Sequence, residues 1–267
     1  GPHTATVQDA NGCTLTLNVV VPSAGSITAS DSLIAPSCPS TSDGEIWINA
    51  TTAFPPLQYS LNGGPAQSSN SFTGLAGGSY TVDVTDAFGC QATLSIFLIQ
   101  PSAIVSTDSV VDLTCFGSLH GEIWLNNTSG GTAPYQFALN GGPLQAGNAF
   151  TALAPGTYTV VVQDANGCTL TFANLNITEP SAISATDSTV TASCVPGADG
   201  EIWVNNATGG TAPYQYSLNG GPLQAGNSFL GLNGGTYTVT VQDANGCTFT
   251  LNNVIVPVPG GVSGNTN

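Results

Sequence analysis

The sequence has no Lys, no Arg and no Met among its 267 residues, and its 15 Asp and Glu leave a formal net charge of -15. Without a cationic side chain nothing neutralises phosphate, which removes the main source of affinity for nucleic acid. Anionic membrane surfaces are excluded on the same ground. Absence of Lys rules out a Schiff base, and absence of Arg rules out a bidentate clamp on carboxylate or phosphate. Trypsin has no site to cut. Long apolar runs are missing too: the longest, around Leu94 to Ile99, covers about seven residues, whereas a membrane-spanning helix takes about 20. No signal peptide is visible.

What is present is the composition of a folded chain. Apolar residues make up 41% against 6% charged, with 33 Gly and 17 Pro; a disordered acidic tail would be charge-dense and poor in apolar residues. The seven Cys point to an oxidising, extracytoplasmic compartment, at the cell surface or secreted.

Internal repeats set the organisation. Trp47, Trp124 and Trp203 lie 77 and 79 residues apart, each in Gly-Glu-Ile-Trp followed by an aliphatic residue and Asn. The same period carries Cys38, Cys115 and Cys194, then Cys90, Cys168 and Cys247, and the Leu-Asn-Gly-Gly-Pro segments that begin at Leu61, Leu139 and Leu218. Pro-Ser-Ala junctions at Pro22, Pro101 and Pro180 separate the units. The expected domains are therefore repeats of about 78 residues at 23–101, 102–180 and 181–259, with a Gly/Ser/Asn-rich tail or linker at 260–267. Residues 1–22 align with the C-terminal part of a repeat and are expected to form its last hairpin. An isolated hairpin is marginal in water, so this one calls for completion from elsewhere.

Within each repeat the apolar pattern has period two, as in half-buried strands. Tyr237, Val239 and Val241 share one face and Thr236, Thr238 and Thr240 the other; Ile202 and Val204 alternate in the same way. Leu218-Asn219-Gly220-Gly221 and Asp243-Ala244-Asn245-Gly246 are turn signals that reverse the chain through positive φ. No segment has helical periodicity. Roughly seven short strands per repeat predict an all-β fold of tandem, antiparallel, immunoglobulin-like β-sandwiches.

Two cysteine pairings fit the spacing. Pairs within a repeat, Cys38–Cys90, Cys115–Cys168 and Cys194–Cys247, span 52, 53 and 53 residues and leave Cys13 to pair outside this sequence. Pairs across junctions, Cys13–Cys38, Cys90–Cys115 and Cys168–Cys194, span 25 or 26 and leave Cys247 over. The first is preferred, because a small sandwich has a thin core and a closed loop of ~50 residues contributes roughly 4 kcal/mol in the chain-entropy model. No CxxC or His cluster suggests zinc.

The ordered set Cys194 before Gly200-Glu201-Ile202, Gly209-Gly210-Thr211-Ala212-Pro213-Tyr214, Gly235-Thr236-Tyr237-Thr238-Val239 and Asp243-Ala244-Asn245-Gly246-Cys247 resembles the SprB-type repeats of Bacteroidota cell-surface adhesins, a group that includes gliding-motility adhesins. The resemblance covers essentially the whole chain and implies immunoglobulin-like modules in long, secreted, filamentous proteins. The first repeat departs from the pattern, with Phe54-Pro55-Pro56-Leu57 and Ala87-Phe88-Gly89-Cys90. The N-terminal hairpin carries His3, Ala5 and Val7 where the repeats have Tyr, Val and Val.

No catalytic constellation emerges: His3 and His120 are not repeated, and neither a Ser/His/Asp nor a Cys/His arrangement recurs. No cofactor is expected; Ca2+ is the one candidate cation, and the competing reading is that Asp9, Asp164 and Asp243 cap their own turns. Trp47, Trp124 and Trp203 fall on the face opposite the aliphatic residues. There they are candidates for an interface or for stacking on sugars, or pack under loops of their own repeat. Asp31-Ser32-Leu33, Asp108-Ser109-Val110 and Asp187-Ser188-Thr189 look like the acceptor motif of Bacteroidota O-glycosylation, making Ser32, Ser109 and Ser188 candidate glycan sites. The expected function is a non-enzymatic structural segment of an extracellular fibre whose partners are copies of itself or further repeats of the same polypeptide. The alternative is an adhesive module that recognises surface glycans through the Trp face. No nucleic acid and no membrane insertion are expected.

Overall fold

The computed structural model describes residues 1–20, 25–193 and 198–259, and these are strand, turn and loop throughout. The junction at Pro22, Cys194 and the 260–267 tail lie outside the described residues. Two strands come first, β1 (Pro2–Gln8) and β2 (Thr14–Val20). The next six are β3 (Thr28–Ile34), β4 (Gly44–Thr51), β5 (Gln58–Leu61), β6 (Ser71–Leu75), β7 (Gly78–Thr85) and β8 (Gln91–Leu98). They recur as β9 (Val105–Val111), β10 (Gly121–Ser129), β11 (Gln136–Leu139), β12 (Ala149–Leu153), β13 (Gly156–Gln163) and β14 (Thr169–Ile177). They recur again as β15 (Ser184–Val190), β16 (Gly200–Thr208), β17 (Gln215–Leu218), β18 (Ser228–Leu232), β19 (Gly235–Gln242) and β20 (Thr248–Val256).

Each set of six makes two three-stranded sheets, ordered β3-β4-β6 and β5-β7-β8 in the first set, with the same order in the others. The pairings are antiparallel, for example Ile46 opposite Phe72 and Tyr59 opposite Val84. The sequence suggested roughly seven strands per repeat; six form, because the chain between β4 and β7 uses only two short strands, one in each sheet.

Period-two alternation is what brings the sheets together. In β4 the burial pattern puts Gly44, Ile46 and Ile48 inside and Trp47 and Asn49 outside. β7 does the same with Val82 and Val84. Ile46, Ile48, Phe72 and Leu75 from one sheet pack with Tyr59, Val82, Val84, Ile96 and Leu98 from the other into one core. Equivalent positions build the third sandwich around Ile202, Val204, Tyr216, Val239, Val241, Val254 and Val256. Such a slab is a β-sandwich held chiefly by apolar burial between two inner faces.

The Leu-Asn-Gly-Gly turns also have a physical account. Asn62, Asn140 and Asn219 adopt φ of 50°, 48° and 47°, a left-handed conformation that Asn tolerates. Their side-chain oxygens accept N–H bonds from Thr81, Thr159 and Thr238 at 2.8, 2.8 and 2.9 Å, locking each turn to the neighbouring strand.

The chain falls into two compact units. The first comprises Gly1–Val105, Ser129–Tyr135 and Gln163–Leu170; the second comprises Ser106–Thr128, Gln136–Val162 and the chain from Thr171 onward. In the first unit β1 and β2 pair from Pro2 opposite Val20 to Gln8 opposite Thr14. Every residue of that hairpin is exposed, Leu15 and Leu17 included.

Replacing Ile46 with Ala should destabilise the first sandwich by about 2–5 kcal/mol, because the residue is fully buried and the sheets cannot close over the gap. Thr81→Ala, on the outer face of β7, should change stability by under about 0.5 kcal/mol. Urea unfolding curves of the two variants test the pattern, which fails if they shift alike.

Candidate functional site

The site the structure builds repeatedly is a pair of cysteine-bearing segments, a loop and a turn, brought together from consecutive repeats. The loop precedes the Gly-Glu-Ile-Trp strand. In the first repeat Asp43 Oδ1 accepts the Ser37 N–H at 3.0 Å and the Thr41 hydroxyl at 2.6 Å, tying the loop around Cys38. Hydrogen bonds from the Ser37 side chain, the Thr41 hydroxyl and the Ser37 backbone lower the Asp43 pKa from 3.8 to about 2. Asp199 plays the same part for the Ser193 N–H at 2.7 Å. In the second repeat His120 stands there instead, its Nε2 accepting from the Thr114 N–H at 3.1 Å. The residue before Gly-Glu-Ile-Trp, Asp43, His120 or Asp199 in turn, is thus a loop latch that any acceptor of suitable reach can serve.

The turn lies between the last two strands of each sandwich. Asp164 is buried, and its Oδ1 accepts the N–H groups of Asn166 and Cys168, each at 2.9 Å. Its Oδ2 accepts the Thr132 N–H at 2.8 Å. Asp243 repeats this with Asn245, Cys247 and Thr211 at 2.9, 2.8 and 2.8 Å. At Asp86 desolvation opposes the charge, but hydrogen bonds from the Cys90 and Phe88 N–H groups and the Thr52 hydroxyl outweigh it and lower the pKa. Satisfying a buried carboxylate with several donors is how a chain without cations keeps it charged. Oδ1 of Asp9, like that of Asp164 and Asp243, accepts N–H groups of its own turn. Among the described residues no three His, Cys, Asp or Glu side chains gather as a metal site.

Loop and turn meet in two disulfides, Cys38–Cys168 and Cys115–Cys247, each with Cα atoms 5.5 Å apart. The amides of Asn166 and Asn245 reinforce them, donating at 3.3 Å to the carbonyls of Ser37 and Thr114, the residues just before the loop cysteines. Clefts of about 380 and 440 Å3 flank the two staples, the second lined in part by Phe116, Ile183 and Phe249.

Both pairings read from the spacing are thereby corrected. Cys38–Cys90 and Cys115–Cys168 do not form, and Cys194–Cys247 is ruled out because Cys247 is bonded to Cys115. The cross-junction scheme fails as well, since Cys38 and Cys168 take each other. The reason is the strand between them. Cys90 stands at the start of β8, whereas Gln100 just past its end donates to the carbonyl of Cys38 at 3.2 Å. The eight residues of β8 separate them by roughly 26 Å at ~3.3 Å per residue, far beyond the reach of a disulfide. Cys13 and Cys90 carry free thiols. Burial, then the Asp86 carboxylate, pushes the Cys90 thiol above its ordinary pKa.

The remaining candidates lie on the outer faces of the sandwiches. Trp47, Trp124 and Trp203 are 44%, 37% and 39% exposed, and each indole N–H donates at 2.8 Å to the Glu two residues earlier. Ser32 is paired directly across from Trp47 and Ser188 across from Trp203. Ser109 and Ser188 accept bonds from Asn126 and Asn205 at 3.2 and 2.9 Å. All three Ser are exposed. Sequence reasoning missed the Asn-to-carbonyl bridge and the loop latch; the recurrence of Asn166 and Asn245 beside Cys was the available signal.

The SprB repeat model matches residues 107–144 and 186–223, which run from the first strand of the second and third sandwiches to the Leu-Asn-Gly-Gly turn. No curated protein matches the chain. Among solved structures, the N-terminal eight Ig domains of Down Syndrome Cell Adhesion Molecule isoform 1.30.30 align over 97% of this chain and 43% of that one, at 10% identity and a TM-score of 0.35. The chain spans less than half the length of that structure.

Each staple closes a loop of 130 or 132 residues, for which the chain-entropy model gives ~5 kcal/mol. Reduction of the folded protein should therefore lower its urea midpoint substantially, and Cys38→Ser should lose part of that difference; equal midpoints with and without reductant would contradict it. Asp43 adds a pH signature. Its folded pKa is depressed, so its stabilisation is complete above about pH 4 and is lost as pH falls toward 2. The melting temperature of the native chain should exceed that of Asp43→Asn at pH 6, and the two should converge near pH 2.

Proposed function

Because the chain carries SprB repeats, we propose that it is a load-bearing, non-enzymatic segment of an extracellular surface fibre. SprB repeats are elements of cell-surface adhesins, and disulfides belong to oxidising compartments. The observation that carries the reading is the pair of disulfides joining consecutive repeats. A bond within a sandwich would protect that sandwich alone. A bond from the loop of one sandwich to the turn of the next also restrains bending at the junction and gives tension a covalent route past the intervening chain. Absence of Lys and Arg supports the same reading, since trypsin-like proteases find no cleavage site on an exposed fibre.

Pulling single molecules from their two ends tests the mechanical part. With both staples intact, the shortest covalent path runs through both disulfides, along 1–38, back from 168 to 115 and on from 247 to 267, and leaves about 150 residues outside it. Reduction should therefore lengthen the fully stretched chain by roughly 540 Å at ~3.5 Å per residue. An unchanged contour length would overturn the load-bearing role. Antibody labelling of intact source cells tests the location, and signal only after permeabilisation would overturn it.

One observation favours a second reading, the adhesive module. The Trp rings stand at the same outer position in all three repeats, their polar edges engaged by Glu and part of each ring exposed. Exposed indole faces suit stacking on sugars. Glycan-array binding that disappears in a Trp47, Trp124 and Trp203 triple Ala variant would support it. Binding unaffected by the substitutions would not.

A further inference from the structure

We propose that the staple between the second and third repeats is gated by pH: neutral His120 holds the loop that carries Cys115, and protonation of its imidazole releases that loop, loosening the junction made by Cys115–Cys247 while the one made by Cys38–Cys168 stays latched.

The first argument is the chemistry of the acceptor. His120 Nε2 lies 3.1 Å from the Thr114 backbone nitrogen and 2.8 Å from the Thr114 hydroxyl. A backbone N–H can only donate, so Nε2 accepts, and the ring is neutral with its proton on Nδ1. Protonation puts a hydrogen on Nε2. The Thr114 hydroxyl can turn and accept it, but the backbone N–H is left facing another donor. One of the two contacts is lost, and it is the one that fixes the main chain beside Cys115.

The second argument is where that contact sits. The Thr114 carbonyl accepts from the Asn245 amide of the third repeat at 3.3 Å, and Cys115, the next residue, is bonded to Cys247. His120 therefore grips the same residue that the third repeat grips, next to the covalent link.

The third argument is a comparison within the chain. In the first repeat the same position is Asp43, whose Oδ1 accepts from the Ser37 N–H and the Thr41 hydroxyl, while the Gln100 amide adds bonds to the carbonyls of Cys38 and Pro39. Those donors to Asp43 hold its pKa at about 2, so this latch is unchanged across the range in which imidazoles ordinarily change charge, about pH 5 to 8. Two junctions of like build therefore carry latches that respond differently to mild acid.

The other ionisable groups around the His120 loop are carboxylates already engaged by N–H donors. Glu179, following β14, accepts from Gly117 at 2.7 Å, and Asp112 accepts from Thr178 at 2.6 Å. Glu122, on β10, accepts from the Trp124 indole, and Asp243, in the turn across the staple, accepts from Asn245 and Cys247. Carboxylates ordinarily titrate near about pH 4. The group of this loop that changes charge in mild acid is thus His120.

Both staples lie in one molecule, so each serves as the other's control. The folded full-length chain, its free thiols blocked by alkylation, should be treated with a water-soluble phosphine at about pH 7.5 and at about pH 5.5, quenched with a second alkylating agent and mapped by chymotryptic peptides. The phosphine takes one sulfur of a disulfide and water carries it off as the phosphine oxide, so two electrons pass to sulfur and two thiols result. Any pH dependence of the reagent cancels in the ratio of the two rates. The rate at Cys115–Cys247 relative to Cys38–Cys168 should rise about fivefold at the lower pH, the weight of one hydrogen bond. His120→Asp, which installs the acceptor of the neighbouring repeats, should hold the ratio constant within about 1.5-fold, and His120→Ala should give the raised ratio at both pH values. Amide exchange of the native chain gives a second reading free of any substitution: relative to its intrinsic rate, the Thr114 N–H should lose about fivefold in protection at the lower pH and the Ser37 N–H should not. An unchanged ratio in the native chain, a rise that persists in His120→Asp, or equal protection of Thr114 at the two pH values would overturn the proposal.

Discussion

A buried carboxylate in a chain without Lys or Arg has only hydrogen-bond donors to satisfy its oxygens. Asp86, Asp164 and Asp243 meet that constraint by gathering donors from their own turn and from the loop across the sandwich. The result is local rigidity where the protein most uses it. In the second and third repeats the residue that follows Asp by four is the cysteine that reaches the preceding repeat, and the residue that follows by two is the Asn that holds the preceding loop by its carbonyl. Apolar burial makes each sandwich; these turns decide where sandwiches can be joined.

That division of labour explains the composition. A core of one apolar layer between two three-stranded sheets is thin, and a small domain of this kind is marginal on burial alone. Covalent closure of loops well over a hundred residues long restrains the unfolded chain by about 1 kcal/mol more than closure within one repeat in the chain-entropy model. Outer faces then need few charges. Asn and Thr supply ordered hydrogen bonds, and Glu45, Glu122 and Glu201 serve the Trp indoles rather than cations.

Much of the fold is legible along the chain. Alternation of Tyr, Val and Val against Thr identifies β7, β13 and β19, and Leu-Asn-Gly-Gly identifies the positive-φ turns, because side-chain period and backbone handedness are local properties. Where local pattern is weak the count slips, as with six strands against roughly seven. His120 was readable as a residue without repeats, yet its role as acceptor for the Thr114 N–H depends on a loop conformation that no spacing encodes. The aromatic exchange at Phe54 and Phe88 was visible as a departure, and its meaning appears only when the equivalent Asn, bonded to the equivalent Thr, is seen reaching the loop of the preceding repeat.

By itself the sequence determined the repeat, the strand alternation, the turn chemistry and the absence of cationic Lys and Arg side chains, since each is read from residue identity and spacing along the chain. Only the tertiary structure decided which cysteines bond. Cys38 and Cys90 share a repeat, but a straight strand holds them at opposite ends of one sandwich, while Cys168, 130 residues away, is carried to within a disulfide's reach. Sequence separation measures the path along the chain, and a covalent bond answers to distance in space.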